Sequence, residues 1–240
     1  MTRIMRPDAG VGNTGGMSRV SPRWEHPQTV AGFATAQPNE QLLAFARRML
    51  RGPSSRRCLD IGCGAARNSG PLAELGSQVV GTDLAEPMLA AARGRLAGSG
   101  LNVEFVHAPM TPLPFDDAYF DLIVAHGIWN LAKSTAEFRS AVAEAARVAK
   151  SGAGLFVFTF SRNTLPPDAR SDPGETFAFS GWNGEPQIFL TEAELIDELG
   201  RAGFARDSTE PLTEYNRPAP GVIRTGGGPP VIYEGTFVRA

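Results

Sequence analysis

Residues 58–68 read CLDIGCGAARN, from Cys58 to Asn68. An apolar run, a carboxylate at Asp60 and two glycines, Gly62 and Gly64, come in quick succession, and helical sequence follows over Ala65 to Leu75 up to Gly76. Glycines at a strand end let the backbone bend sharply and approach a ligand, because no Cβ stands in the way. The start of the next helix points N–H groups at the same spot, which favours a carboxylate or phosphate. The stretch predicts a strand, a tight turn and a helix arranged around a small ligand.

Outward from it the same unit recurs. SQVVGTD is a second apolar strand closing at Asp83, and Glu86 to Leu96 is helical with Pro87 in its first turn, where the missing N–H does no harm. Val103 to Val106 is a third strand, YFDLIVAH a fourth and GLFVFTF a fifth, with an alanine-rich helix over Thr135 to Lys150 before the last. Thr191 and Glu194 form a capping box for a later helix that ends at Gly203. Two β-rich stretches, Phe204 to Leu212 and Val231 to Val238, are joined by the turn-forming GVIRTGGGPP. Alternation of this kind means parallel strands, right-handed crossovers and helices on both faces. Ligands then bind at the carboxyl ends of the strands.

Three segments fall outside the alternation. Residues 1–20 are glycine-rich, poor in large apolar residues and without an apolar signal core, and read as a disordered leader. Residues 21–52 read as a helical cover, with a helical face over Gln41 to Leu50, and residues 161–190 as an insert long enough for a binding loop. The expected organisation is one domain over 21–240.

With 42% hydrophobic and 20% charged residues the chain suits a globular fold, and a net charge of −2 offers no general attraction to nucleic acid or anionic lipid. No apolar run approaches the roughly 20 residues of a membrane span. Cys58 and Cys63 are the two cysteines and lack partners for a zinc site; as reduced structural thiols they point to the cytoplasm.

Asp83 stands about twenty residues beyond the glycine turn, where a carboxylate accepts from ribose hydroxyls. The ligand therefore contains a nucleoside. A dinucleotide asks for G-x-G-x-x-G, and the last position here is Arg67, which disfavours a nicotinamide cofactor and leaves an oxidoreductase as an alternative.

CLDIGCGAARN, VVGTDLAEPML, VEFVHAPMTPLPFDDAYFDLIVAH and GLFVFTF, in this order, resemble the class I S-adenosylmethionine-dependent methyltransferases, with TEAELIDELGRAGF similar to a later helix of that family. The resemblance implies an α/β, Rossmann-like, doubly wound seven-stranded sheet, with strand seven antiparallel between five and six. It also implies S-adenosylmethionine as cofactor. Gly62 and Gly64 would lie under its methionine part, Asp60 would orient its amino group and Arg67 its carboxylate. Asp83 would hold the ribose, and Leu84, Met88, Pro109 and Met110 would border the adenine. Two departures stand out. Ala66 replaces the usual third glycine, and Pro109 stands where many relatives carry an Asp, so backbone near Met110 has to serve the adenine amino group.

A sulfonium methyl needs mainly an aligned nucleophile and exclusion of water. His126, at the end of strand four, is the expected cofactor contact and base for an oxygen or nitrogen acceptor. The sequence lacks the Pro-Cys pair of cytosine methylation, the Asn/Asp-Pro-Pro-aromatic run of amino-group methylation and acidic metal ligands at the end of strand four. The expectation is metal-independent, in-line methyl transfer to a small metabolite, with Trp129, Asn130, Phe179 and Trp182 against it and Phe177 and Phe189 nearby. RNA or protein methylation is the alternative, and it would require a basic stripe beside the site.

Overall fold

The computed structural model describes residues 20–52, 56–217 and 228–240. Apart from Val20, the expected leader lies outside the described residues, as does most of GVIRTGGGPP.

A single turn at Pro22–Trp24 leads into α1 (Pro27–Thr35) and α2 (Glu40–Met49). Then come β1 (Arg57–Ile61), α3 (Ser69–Glu74), β2 (Gln78–Asp83), α4 (Glu86–Arg95), β3 (Val103–His107) and β4 (Phe120–His126). A turn at Trp129–Leu131 precedes α5 (Thr135–Val148) and β5 (Ala149–Phe160). Next are β6 (Ala178–Phe179), β7 (Gln187–Ile188), α6 (Glu192–Arg201), β8 (Phe204–Arg206), β9 (Thr213–Tyr215) and β10 (Ile232–Arg239).

The main sheet runs β3-β2-β1-β4-β5-β10-β8, with β9 also paired to β10. Strands β1 to β5 are parallel and β10 is antiparallel to both β5 and β8, as the resemblance implied, with β9 as an addition. The chain turns outward in opposite directions from β1 and β4, so a crevice opens between their carboxyl ends. Side chains alternate across the sheet. Leu59, Ile61, Ile123 and Leu155 face α5 and α6, whereas Cys58, Leu122, Val124 and Phe156 face α2 and α3. Both faces are buried, which explains the near-continuous apolar runs. Among the described residues no helix is long and apolar enough to cross a membrane.

Several boundaries differ from expectation: the stretch Phe204 to Leu212 holds only β8, β9 begins after it at Thr213, and α6 ends at Arg201, short of Gly203. Helix α3 starts at Ser69, not Ala65, because Ala66 sits in the left-handed region at φ 60° and belongs to the turn. Helix α5 stops at Val148, where Ala149 turns extended at φ −77° and ψ 136°, and Lys150 Nζ beyond it meets both carboxylate oxygens of Asp121 at 2.9 Å. Strand β5 therefore begins at Ala149, five residues before GLFVFTF. The insert carries a small hairpin of β6 and β7. The cover is tied down by Arg95, whose guanidinium donates to the carbonyls of Ala34 at 2.9 Å and Ala36 at 3.0 Å at the end of α1.

Candidate functional site

A cavity of about 320 Å³ opens at the carboxyl ends of β1, β2 and β4, under the N-terminal cover. Gly62 and Gly64 form its wall after β1. Both have positive φ, at 68° and 53°, and a Cβ on Gly62 would lie 2.7 Å from Cδ1 of Ile128. One on Gly64 would lie 3.3 Å from the ring of Phe33 in α1. The glycine turn is thus packed from above as well as bent.

Asp83 reaches the cavity from the end of β2. Its Oδ2 accepts from the Gly64 N–H at 2.9 Å and its Oδ1 from the Ala85 N–H at 2.8 Å. Each oxygen keeps a lone pair, enough for two ligand hydroxyls. Burial pushes the Asp83 pKa up, against the lowering effect of the Ala85 and Gly64 N–H groups. Leu84, Met88, Pro109 and Met110 line the same side. His107 does not line the cavity; its Nε2 bonds the Leu84 carbonyl at 2.9 Å and so fixes the neighbouring loop.

His126 and Arg67 face each other across the cavity floor. Arg67 Nη2 lies 3.0 Å from His126 Nδ1 and 3.2 Å from Nε2, and Asn39 Nδ2 is 3.2 Å from Nε2. The Asn39 amide is oriented by its neighbours. Its Oδ1 caps α2 at the Leu42 N–H, and its Nδ2 donates to Glu234 Oε2 at 2.6 Å. Both side chains present N–H groups to the imidazole, which when neutral accepts at one ring nitrogen only, and the ring stacks on Phe158 at 4.2 Å. Burial, with the Arg67 guanidinium adding to it, pushes the His126 pKa down to about 3. The ring is neutral and a hydrogen-bond acceptor, which leaves it little basicity at neutral pH.

Not every expected site residue reaches the cavity. Asp60 lies behind the wall, 1% exposed, and accepts from the Ser69 hydroxyl at 2.6 Å; burial raises its pKa to about 6. Trp129 is turned into the core, where its ring meets Phe138 edge to face. Phe179 packs with Phe189, Leu165 and Trp182 in a cluster belonging to the insert, and Phe177 packs edge to face on Phe138 in the main core. None of these aromatics lines the cavity; an aromatic side chain in a long insert first satisfies the insert's own core. Asn130 does line it.

Sequence reasoning missed Phe33, Ile128, Phe158, Phe160 and Gln187 on the wall, and Asn39 and Glu234 behind it. Phe158 and Phe160 carried a signal: they end β5 as Asp83 ends β2, at the edge where ligands bind. Glu234 is a buried carboxylate on β10, and no local pattern marks it.

A family profile described as a methyltransferase domain matches residues 59–158. The chain is 38% identical over 130 residues to a demethylmenaquinone methyltransferase of Clavibacter sepedonicus, covering 53% of this chain and 51% of that protein. It is 36% identical over 156 residues to a ubiquinone/menaquinone biosynthesis C-methyltransferase of Pseudomonas putida, covering 62% and 58%. The chain thus spans little more than half the length of these curated relatives. A solved S-adenosylmethionine-dependent methyltransferase of Methanosarcina mazei shares the fold, with a TM-score of 0.59 at 24% identity over 78% of this chain and 94% of that one. Residues 59–158 thus match a methyltransferase domain, and the chain shares the fold of the solved S-adenosylmethionine-dependent methyltransferase.

Proposed function

We propose that the chain transfers a methyl group from S-adenosylmethionine to a small-molecule acceptor in this cavity, without a metal. The observation that carries the reading is Asp83, whose carboxylate stands on the cavity wall bonded to the glycine turn that a Cβ would fill. Asp83 holds the ribose, Gly62 and Gly64 admit the methionine part, and Leu84, Met88, Pro109 and Met110 enclose the adenine. When bound, S-adenosylmethionine supplies an electrophilic methyl group. The residues around it bind, orient and keep water out, the requirements of in-line displacement.

His126 is a positioning residue in this reading. It accepts from Arg67 and so holds the guanidinium beside the glycine turn, ready for a carboxylate. Asp60 acts at one remove by fixing the start of α3 through Ser69. With an imidazole this weakly basic, the nucleophile must react without its help. An amine nitrogen or a phenolate oxygen meets that condition. So does the ring carbon beside a phenolate; the name of the Pseudomonas putida relative, a C-methyltransferase, adds carbon to the oxygen and nitrogen expected from sequence. The cover above the cavity favours a small acceptor over RNA or protein, and the buried free thiols of Cys58 and Cys63 suit a reducing, cytoplasmic setting.

The test is calorimetry with S-adenosylhomocysteine on the wild type and Asp83→Asn. Loss of charge-assisted hydrogen bonds of about 1.5–3 kcal/mol predicts an affinity roughly 10- to 150-fold weaker. Equal affinities, or tighter binding of a nicotinamide dinucleotide, would overturn the reading. Methyl incorporation into candidate metabolites, followed by mass, then identifies the acceptor.

A further inference from the structure

We propose that Asn130 and Gln187 together form the acceptor-recognition subsite of the cavity and select an aromatic ring through a neutral hydroxyl that is distinct from the atom methylated. Both side chains are nearly inaccessible, at 2% and 6% exposed, and both line the cavity. Their amide oxygens, Asn130 Oδ1 and Gln187 Oε1, are buried without a hydrogen-bond partner. Thr82, Thr159, Thr236, Arg56 and Trp129 also bury an unpartnered polar atom, but none of these lines the cavity. Among the described residues that line the cavity, Asn130 and Gln187 hold the buried oxygens without a partner, and each amide has to rotate to present its oxygen to a ligand.

They come from separate parts of the chain. Asn130 lies in the turn after β4, and Gln187 in β7 of the insert, and these two elements pack on each other. An orphaned amide is costly unless something completes it, and a ligand is the missing partner. Because rotation of an amide exchanges its donor and its acceptor within the same volume, the pair suits a group that both donates and accepts. A neutral hydroxyl is such a group. Ile128, Leu131, Phe158 and Phe160 line the same cavity and offer apolar surface to a flat ring, with the charged Lys133, Glu137 and Glu185 also on its lining.

The assignment rests on the methyl-transfer reading only in treating this end of the cavity as the acceptor's. The probes are 1-naphthol and 1-methylnaphthalene, alike in size and differing in the hydroxyl. Each is titrated against the full chain by tryptophan fluorescence, with and without S-adenosylhomocysteine. The wild type is expected to bind 1-naphthol at least about tenfold more tightly, as a site built to bond a hydroxyl rejects the analogue lacking it. Asn130→Leu with Gln187→Met should bring the ratio within about twofold while the wild-type Tm is kept or exceeded, because an orphaned acceptor is removed. Gln187→Met alone, on a two-residue strand, gives an intermediate ratio and serves if the double variant misfolds. No preference in the wild type, or a preference that survives in the variants, overturns the proposal. Failure to bind S-adenosylhomocysteine would instead strike the methyl-transfer reading, and the naphthol ratio measured without it still decides the amide pair.

Discussion

Replacing Gly62 with alanine tests the glycine turn directly. Gly62 has φ 68°, and an added Cβ would stand 2.7, 2.8 and 2.9 Å from Cδ1, Cγ1 and Cβ of Ile128. The left-handed conformation costs a non-glycine residue about 1–2 kcal/mol. The clash adds an overpacking cost of about 1–3 kcal/mol, because contact with the Ile128 Cβ forces its backbone to shift as well as its side chain to rotate. The sum is roughly 2–5 kcal/mol. At about 2–4 °C per kcal/mol for a chain of this size, Tm should fall by roughly 4–20 °C. Ile128 also lines the cavity, so affinity for S-adenosylhomocysteine should fall too. The assay is thermal unfolding with and without that ligand, on Gly62→Ala, Ile128→Ala and the double variant. Truncating Ile128 to alanine removes the contacts with Cδ1 and Cγ1 but leaves its Cβ at 2.9 Å, so the clash is relieved in part and the double variant should lose roughly 0.5–2 kcal/mol less than the sum of the singles. Strict additivity, or a Gly62→Ala protein that melts and binds like the wild type, would refute the reasoning.

The remaining expectations concern charge and the cover. Asp60, at about 6 in the fold against an ordinary 3.8, binds its proton more tightly folded than unfolded. Stability therefore falls as pH rises from about 4 to about 6, by roughly 3 kcal/mol at about 1.36 kcal/mol per pH unit. Asp60→Asn should abolish that fall in pH-dependent denaturation, and an unchanged slope would count against it. His126, at about 3 against an ordinary 6.5, has the opposite sign: the unfolded chain takes the proton first, so its contribution to stability is lost as pH drops from 6.5 towards 3. His126→Gln should flatten that acid limb and leave the pH dependence of kcat between 5 and 8 unchanged in shape; loss of an inflection there would restore the imidazole as a base. Arg95→Ala removes the donors at the end of α1 and should speed amide exchange across Pro27–Thr35 with a loss of about 1–3 kcal/mol. Exchange confined to other helices would contradict that anchoring.

Much of this protein is written locally. The end of β1 at two glycines, Asp83 closing β2, the capping box at Thr191 and the repeated strand–helix alternation were all legible, because each depends on neighbouring residues and on the periods of helix and strand. Those signals determined the sheet, the edge of it where the cavity opens and most of the expected site residues that line that cavity. The tertiary structure decided what stands opposite them. It places Phe33 over Gly64, brings Asn39 and Glu234 behind His126, and turns Trp129 and Phe179 away from the cavity. The histidine shows the reason most clearly. Its position at the strand end follows from the sequence, but its protonation depends first on burial and then on a guanidinium 59 residues away in the chain. The basicity of a group is set by the charges and donors that packing brings within a few ångströms of it, and distance along the chain carries no information about them.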